Sequence, residues 1–147
     1  EFRESNAAVI SGAVAAYNAG ATGRGVKAAV IDSGINPDLK DFAGRIDPAS
    51  RDVTTGGRPL GDEDGHGTAV AGVIAANRDG SWMHGIAFDS QIIALRADTP
   101  GSCAETGEDK GCSFGDSSIA RGVDAAVAAG ARVINMSLGG SAPGGVL

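Results

Sequence analysis

Several residue types are scarce in this sequence. Aromatic residues form only 4% of the 147 residues, and there are two cysteines, two histidines and no run of lysine or arginine. A net charge of −6 without a basic run argues against binding to nucleic acid or to an anionic membrane. The longest strongly apolar stretch, residues 123–131, contains Asp124 and is too short to span a bilayer.

Small residues take the place of the missing aromatic ones. The chain has 24 glycines and a hydrophobic content of 42%, which predicts packing by close backbone approach. Its length is that of one domain, and no linker or internal repeat divides residues 1–147.

The two cysteines, Cys103 and Cys112, are separated by a polar, glycine-rich stretch that can close into a loop. A disulfide there would stabilise the fold by about 2–3 kcal/mol and would indicate an oxidising location: secreted, periplasmic or at the cell surface. The alternative is two unrelated thiols. Zinc is poorly supported, because four Cys or His ligands are needed and neither histidine is nearby.

Hydrophobic patterns predict alternating helices and strands. The helices are expected at residues 7–19, 68–77 and from Ser117 or Ser118 to 129; the strands at residues 26–31, 45–47 (weak), 91–97 and 132–136. Apolar strands without alternation indicate an α/β fold, with a parallel sheet covered by helices on both faces. We interpret residues 1–147 as the N-terminal portion of a truncated domain, because glycine-rich residues 144–147 follow soon after a strand.

Two short motifs carry chemistry. Val30-Ile31-Asp32-Ser33-Gly34-Ile35 places an acid at the end of the first strand, and Asp62-Glu63-Asp64-Gly65-His66-Gly67-Thr68 places a histidine at the start of a helix. A buried acid beside a histidine fixes its tautomer and stabilises the imidazolium that forms when the ring takes a proton. Glycines on both sides of His66 suit a backbone that approaches closely or adopts an unusual conformation.

With Val133-Ile134-Asn135-Met136-Ser137-Leu138-Gly139-Gly140 downstream, the chain resembles the subtilases, the subtilisin-like serine proteases. The resemblance implies that Asp32 is the catalytic acid and His66 the general base. It also implies that Ser137, Leu138, Gly139 and Gly140 hold one side of an extended polypeptide substrate, and Ser113, Phe114 and Gly115 the other, by main-chain pairing.

The third catalytic element of that family is absent from this sequence. No Gly-Thr-Ser-Met-Ala segment carries a nucleophile, and no asparagine stands in the oxyanion-hole context. Ser33 and Ser137 do not substitute, because one follows the acid and the other belongs to the binding segment. We therefore expect this polypeptide alone to be inactive, with the C-terminal remainder of the same domain as its partner.

No cofactor is required by this chemistry, and no metal ligand is assigned. Calcium is a possible exception: the resemblance implies ligands at Asn77, Asp79 and Asp38, which are oxygen donors suited to that ion. The alternative is that these residues form turns and a helix end. His84 is predicted to be a solvated or packing histidine, and Trp82 to cover the edge of the core.

Three functions compete on these residues. The first is the N-terminal part of a secreted subtilisin-like endopeptidase, and the second is a non-catalytic peptide-binding or interaction module derived from one. A nucleotide-binding α/β domain is disfavoured, since neither G-x-G-x-x-G nor G-x-x-x-x-G-K-[ST] occurs.

The final strand is expected to present an unpaired edge, which favours self-association.

Overall fold

The computed structural model describes residues 6–104 and 111–140. Four α-helices are present in these residues: α1 (Ala7–Ile10), α2 (Ala13–Asn18), α3 (His66–Ala75) and α4 (Asp116–Ala128). The four strands are β1 (Lys27–Asp32), β2 (Arg51–Asp52), β3 (Gln91–Arg96) and β4 (Val133–Asn135). Short 3₁₀ helices occupy Lys40–Phe42 and Ser102–Ala104.

The four strands form one parallel sheet in the order β2-β3-β1-β4. β1 is central, and its last residue, Asp32, stands opposite Arg96 at the end of β3. Parallel pairing therefore brings the carboxyl ends of β1, β3 and β4 to one edge, where ligands bind in open α/β sheets.

Alternate residues of the central strands enter two separate cores. One core holds Ala28 and Val30 with residues of α3, and the other holds Ala29 and Ile31 with residues of α4. Both faces of β1 are thus buried, which explains why its sequence is apolar without alternation. The predicted α/β fold with a parallel sheet between helices is confirmed.

Several boundaries differ from the sequence prediction. The first helix breaks into α1 and α2 at Gly12, which has φ +74°. The weak strand at 45–47 is reduced to one bridge between Ile46 and Ile92, and β2 forms further along the chain. Ser117 and Ser118 lie inside α4 because the helix begins at Asp116, after Gly115.

Burial was overestimated in two places. The apolar sequence of residues 68–77 is typical of a helix buried all round, yet Val73 is 53% exposed because only one side of α3 packs on the sheet. Trp82 does not cover the core: it is 84% exposed. His84, in contrast, is buried and packs its ring edge-on against Phe88.

None of the described helices combines the length and the apolar character needed to cross a membrane.

Two glycines of α3 have opposite surroundings. A Cβ atom at Gly67 would overlap the carbonyl oxygen of Gly34 and lie 3.1 Å from Cβ of Asp32, whereas a Cβ atom at Gly72 would meet nothing within 4 Å. The close approach at Gly67 lets the first turn of α3 rest directly on the loop that follows β1.

These surroundings predict opposite effects of one substitution in the same helix. Gly67→Ala should lower the free energy of unfolding by about 1–3 kcal/mol, because the added methyl group forces α3 away from β1. Gly72→Ala should raise it by up to about 1 kcal/mol, because alanine favours the helix and the space is open. Urea unfolding of both variants checks this; equal effects would contradict the close packing at Gly67.

Candidate active site

Asp32 is fixed and buried at the carboxyl end of β1. Its side chain is only 2% exposed. The Oδ1 atom accepts hydrogen bonds from the backbone N–H of Ser33 at 2.7 Å and from Nδ1 of His66 at 2.8 Å. The Oδ2 atom is also buried and has no hydrogen-bond partner among the described residues.

His66, the first residue of α3, faces both the acid and the solvent. Its Nδ1 atom is bonded to Asp32, while 48% of its side chain remains exposed. Because Nδ1–H donates to the carboxylate, Nε2 carries the lone pair of the neutral ring. The free nitrogen is thus the one available to take a proton.

The backbone around His66 needs both of its flanking glycines. Gly65 has φ +85° and precedes the helix, a conformation that favours glycine. Gly67 lies against Gly34, as described above, and its N–H donates to the hydroxyl of Ser33 at 3.0 Å. The expectation that both glycines serve backbone geometry is confirmed.

The carboxylate beside His66 changes its acidity. The hydrogen bond to Asp32 raises the pKa of His66, desolvation opposes the change, and the negative charges of Asp32, Asp64 and Asp62 add to it. The site therefore favours the imidazolium, the form that the ring adopts after it has taken a proton.

A cavity of about 300 Å³ opens beside the pair. Among its lining residues are Asp32, His66 and Asp64, and also four of the seven predicted substrate-binding residues: Phe114, Ser137, Leu138 and Gly139. The structure therefore brings residues of the three sequence motifs and the cysteine loop together around one cleft.

The other three predicted substrate-binding residues do not line this cavity. Ser113 is engaged elsewhere, since its N–H donates to the hydroxyl of Ser102 and its carbonyl accepts from the N–H of Thr99. Gly115 is the residue before α4, and Gly140 lies beyond the lining segment. Their binding roles remain predictions.

The predicted disulfide is present, between Cys103 and Cys112. Cys112 itself lines the cavity near His66. The bridge thus ties the segment that carries Phe114 to the 3₁₀ helix at Ser102–Ala104, on one side of the cleft.

An ionic network that the sequence did not indicate connects the sheet edge to the loop that precedes His66. Arg96, only 3% exposed, bonds Asp98 at 2.8 Å and Glu63 at 2.9 Å. Arg58 bonds Asp98 at 2.7 Å and Asp52 at 3.1 Å. Arg58 and Asp98 lie 40 residues apart, and Arg96 and Glu63 lie 33 residues apart. Only the apolar neighbours of Arg96 in the sequence of β3 could have marked it as unusual.

This network has a clear electrostatic effect. Burial alone would raise the pKa of Asp52, but hydrogen bonds from Arg58 and Thr54 outweigh it and hold that pKa far below its ordinary value. Hydrogen bonds to Asp98 and Glu63 raise the pKa of Arg96. The ion pairs of Arg58 with Asp98 and of Glu63 with Arg96 tie both ends of residues 58–63 to the sheet edge.

The three candidate calcium ligands differ in their surroundings. The Oδ1 atom of Asn77 accepts from Nε of Arg45 at 2.8 Å, so a guanidinium already supplies positive charge there. Asp38 and Asp79 border a different cavity, which Asn77 does not line. No group of three acidic, His or Cys side chains suited to a metal occurs in the described ranges. These residues therefore fit calcium poorly as a set.

The chain is similar in sequence and fold to a family of known proteins. Residues 23–146 match the subtilase (peptidase S8) family, so the chain belongs to the subtilases. Among curated relatives, minor extracellular protease Vpr of Bacillus subtilis (strain 168) is 37% identical over 140 residues, covering 88% of this chain and 16% of that protein. Subtilisin Savinase of Lederbergia lenta is 36% identical over 140 residues, covering 92% of this chain and 45% of the relative.

Solved structures agree with this assignment. MycP3 protease from the type VII (ESX-3) secretion system matches with a TM-score of 0.67 and 31% identity, covering 89% of this chain and 36% of that one. A cold-adapted subtilisin-like serine proteinase matches with a TM-score of 0.63 and 31% identity, covering 83% and 40%. The chain spans less than half the length of each of these four proteins.

The raised pKa of His66 predicts how the Asp32–His66 pair contributes to stability. The contribution is complete below the unfolded-state pKa of about 6.5 and is lost as the pH rises through the higher folded-state pKa. The difference in unfolding free energy between wild type and His66→Ala should therefore be larger near pH 6 than near pH 9. Urea unfolding at both values checks this, and a difference independent of pH would contradict it.

Proposed function

We propose that this chain supplies the acid, the base and part of the peptide cleft of a secreted subtilisin-like serine endopeptidase. The observation that carries the proposal is the 2.8 Å hydrogen bond between Asp32 and Nδ1 of His66 at the rim of a cleft. Membership of the subtilase family supports the reaction class.

The geometry defines the proposed role of each member of the pair. Nε2 of His66 would take the proton from a serine hydroxyl as that oxygen attacks the peptide carbonyl, and would then give it to the leaving amine. Asp32, buried and bonded to Nδ1, would hold the ring in orientation and stabilise the imidazolium.

An extended peptide is the substrate that this cleft suits. Ser137–Gly139 follow β4 and line the same cavity as Phe114. We propose that a substrate strand lies between these segments and pairs with their main chain, as in β-strand addition. Glycine at position 139 leaves room for that close approach.

We propose that the nucleophile comes from outside these 147 residues. Ser33 is fully buried, and its hydroxyl is bonded to Asp62 at 2.8 Å. Ser137 accepts a hydrogen bond from the side chain of Asn135. Neither hydroxyl forms a hydrogen bond with His66 in the part of the chain that the structure describes, which supports the proposal that the chain alone does not hydrolyse peptides.

A serine-directed covalent probe tests this proposal. The purified 147-residue chain should remain unlabelled. A longer polypeptide in which the same residues are joined to a serine-bearing segment should be labelled, and His66→Ala or Asp32→Asn should reduce that labelling by roughly 10³-fold or more. Exposed Ser81→Ala serves as the control and should have no effect. Strong labelling of the short chain would refute its inactivity.

We also propose that the protein works outside the cytoplasm. The disulfide between Cys103 and Cys112 needs an oxidising compartment, and the names of two relatives from Bacillus subtilis describe extracellular proteases.

The outer side of β4 is the proposed contact surface for the remainder of the domain. β4 pairs only with β1 among the described strands, and Val133 and Met136 are 57% and 47% exposed. An unpaired strand edge with exposed apolar side chains favours pairing with another segment. Where that segment is missing, a second copy of the chain is the available partner.

Light scattering checks the self-association of the isolated chain. We expect dimers or larger species whose fraction grows with concentration, and Val133→Lys on the edge strand should reduce it because charge opposes edge pairing. Val73→Lys, a similarly exposed site on α3, is the matched control. A clean monomer at high concentration would contradict the proposal.

The absence of a nucleophile from the sequence leaves one alternative, a peptide-binding module derived from a subtilase. A module would bind extended peptides without turnover even when the adjoining polypeptide is present. Sequencing the reading frame beyond Leu147 discriminates: a serine in a Gly-Thr-Ser-Met context favours the enzyme, and a stop codon favours the module.

A further inference from the structure

One acidic side chain lies between the catalytic acid and the base and contacts both of their segments. The carboxylate of Asp62 accepts a hydrogen bond from the hydroxyl of Ser33 at 2.8 Å, and Ser33 directly follows Asp32. It also accepts hydrogen bonds from the N–H of Gly65 at 2.9 Å and from the N–H and the hydroxyl of Thr68 at 2.8 and 2.5 Å. Gly65 and Thr68 bracket His66.

The hydroxyl of Ser33 has a single proton to donate. It lies 2.8 Å from Asp62 and 3.2 Å from Asp32, so the shorter bond goes to Asp62. The same hydroxyl oxygen accepts the N–H of Gly67 at 3.0 Å. A continuous chain of hydrogen bonds therefore runs from the first turn of α3 through Ser33 to Asp62 and back to that turn.

We propose that Asp62 is a positioning residue for the Asp32–His66 pair: it joins the loop after the acid to the helix turn that carries the base, and thereby fixes the orientation of the imidazole. This inference rests on the proposed function of that pair. It goes beyond helix capping, because the carboxylate bonds two different elements that each carry one member of the pair.

Asp62 can affect His66 in two ways, through its negative charge and through its hydrogen bonds, and the two effects must be distinguished. Negative charges on Asp32, Asp62 and Asp64 all bear on His66 and raise its pKa. Asp64 lines the cleft with His66 but makes none of the hydrogen bonds described for Asp62. Asp64→Asn is therefore the matched control, since it removes a neighbouring charge and leaves the hydrogen-bonded frame intact.

NMR titration of the histidine rings in the 147-residue chain tests the proposal. In Asp62→Asn, the midpoint of the His66 titration should fall by about one pH unit, and the low-field signal of its Nδ1–H should disappear through exchange. In Asp64→Asn the midpoint should fall less, and the Nδ1–H signal should persist. Buried His84 provides an internal reference in each spectrum.

A milder variant covers the case in which Asp62→Asn does not fold. Thr68→Val removes one donor to Asp62 without a change of charge, and should weaken the Nδ1–H signal and lower the His66 midpoint; Thr68→Ser keeps the hydroxyl and should restore both. If Asp62→Asn and Asp64→Asn behave alike with the Nδ1–H signal retained, or if Thr68→Val leaves His66 unchanged, Asp62 is not a positioning residue.

Asp32→Asn separates this proposal from the one on which it rests. If that substitution leaves the His66 midpoint unchanged, the catalytic pair itself is wrong. If it lowers the midpoint while Asp62→Asn does not, the pair is right and only the role of Asp62 fails.

Discussion

The contact between the start of α3 and the end of β1 positions the rest of the site. At this point Gly67 rests on the backbone of Gly34, and His66 is carried to within 2.8 Å of the carboxylate of Asp32. A side chain at position 67 would separate the two elements by more than a hydrogen bond tolerates. The catalytic geometry is therefore a consequence of how closely a helix can approach a strand, and residue types that bring the backbones together matter as much as the reacting groups.

Next to that contact, ion pairs attach the loop of residues 58–63 to the sheet. Arg58 and Arg96 both bond Asp98, and Arg96 also bonds Glu63, so residues 58–63 are attached to the sheet edge. Asp62, in the same loop, is bonded to α3. Buried ion pairs contribute little net stability when compared with apolar packing, but breaking one of them is costly. Their value here lies in geometry: the segment before His66 has little freedom to move relative to Asp32.

The sequence predicted the local features well, because their signals are local. The apolar run before Asp32, the glycines beside His66 and the short cysteine loop each indicate their structure without reference to distant residues. The break between α1 and α2 at Gly12, the exposure of Val73 and Trp82, and the ionic partners of Arg96 were missed. Each depends on what packs nearby in three dimensions, which hydrophobic periodicity does not encode. The hydrogen bond from the guanidinium of Arg45 to Asn77 was missed for the same reason, since Arg45 comes from a different segment of the chain.

In the structure, Nδ1 of His66 donates to Asp32 and leaves Nε2 available to accept a proton. The ¹⁵N chemical shifts of the ring, measured above its titration midpoint, report which nitrogen carries the proton. We expect the Nδ1–H form for His66, with a titration midpoint above the ordinary value of about 6.5. A neutral ring protonated at Nε2, with an ordinary midpoint, would overturn the proposed Asp32–His66 pair.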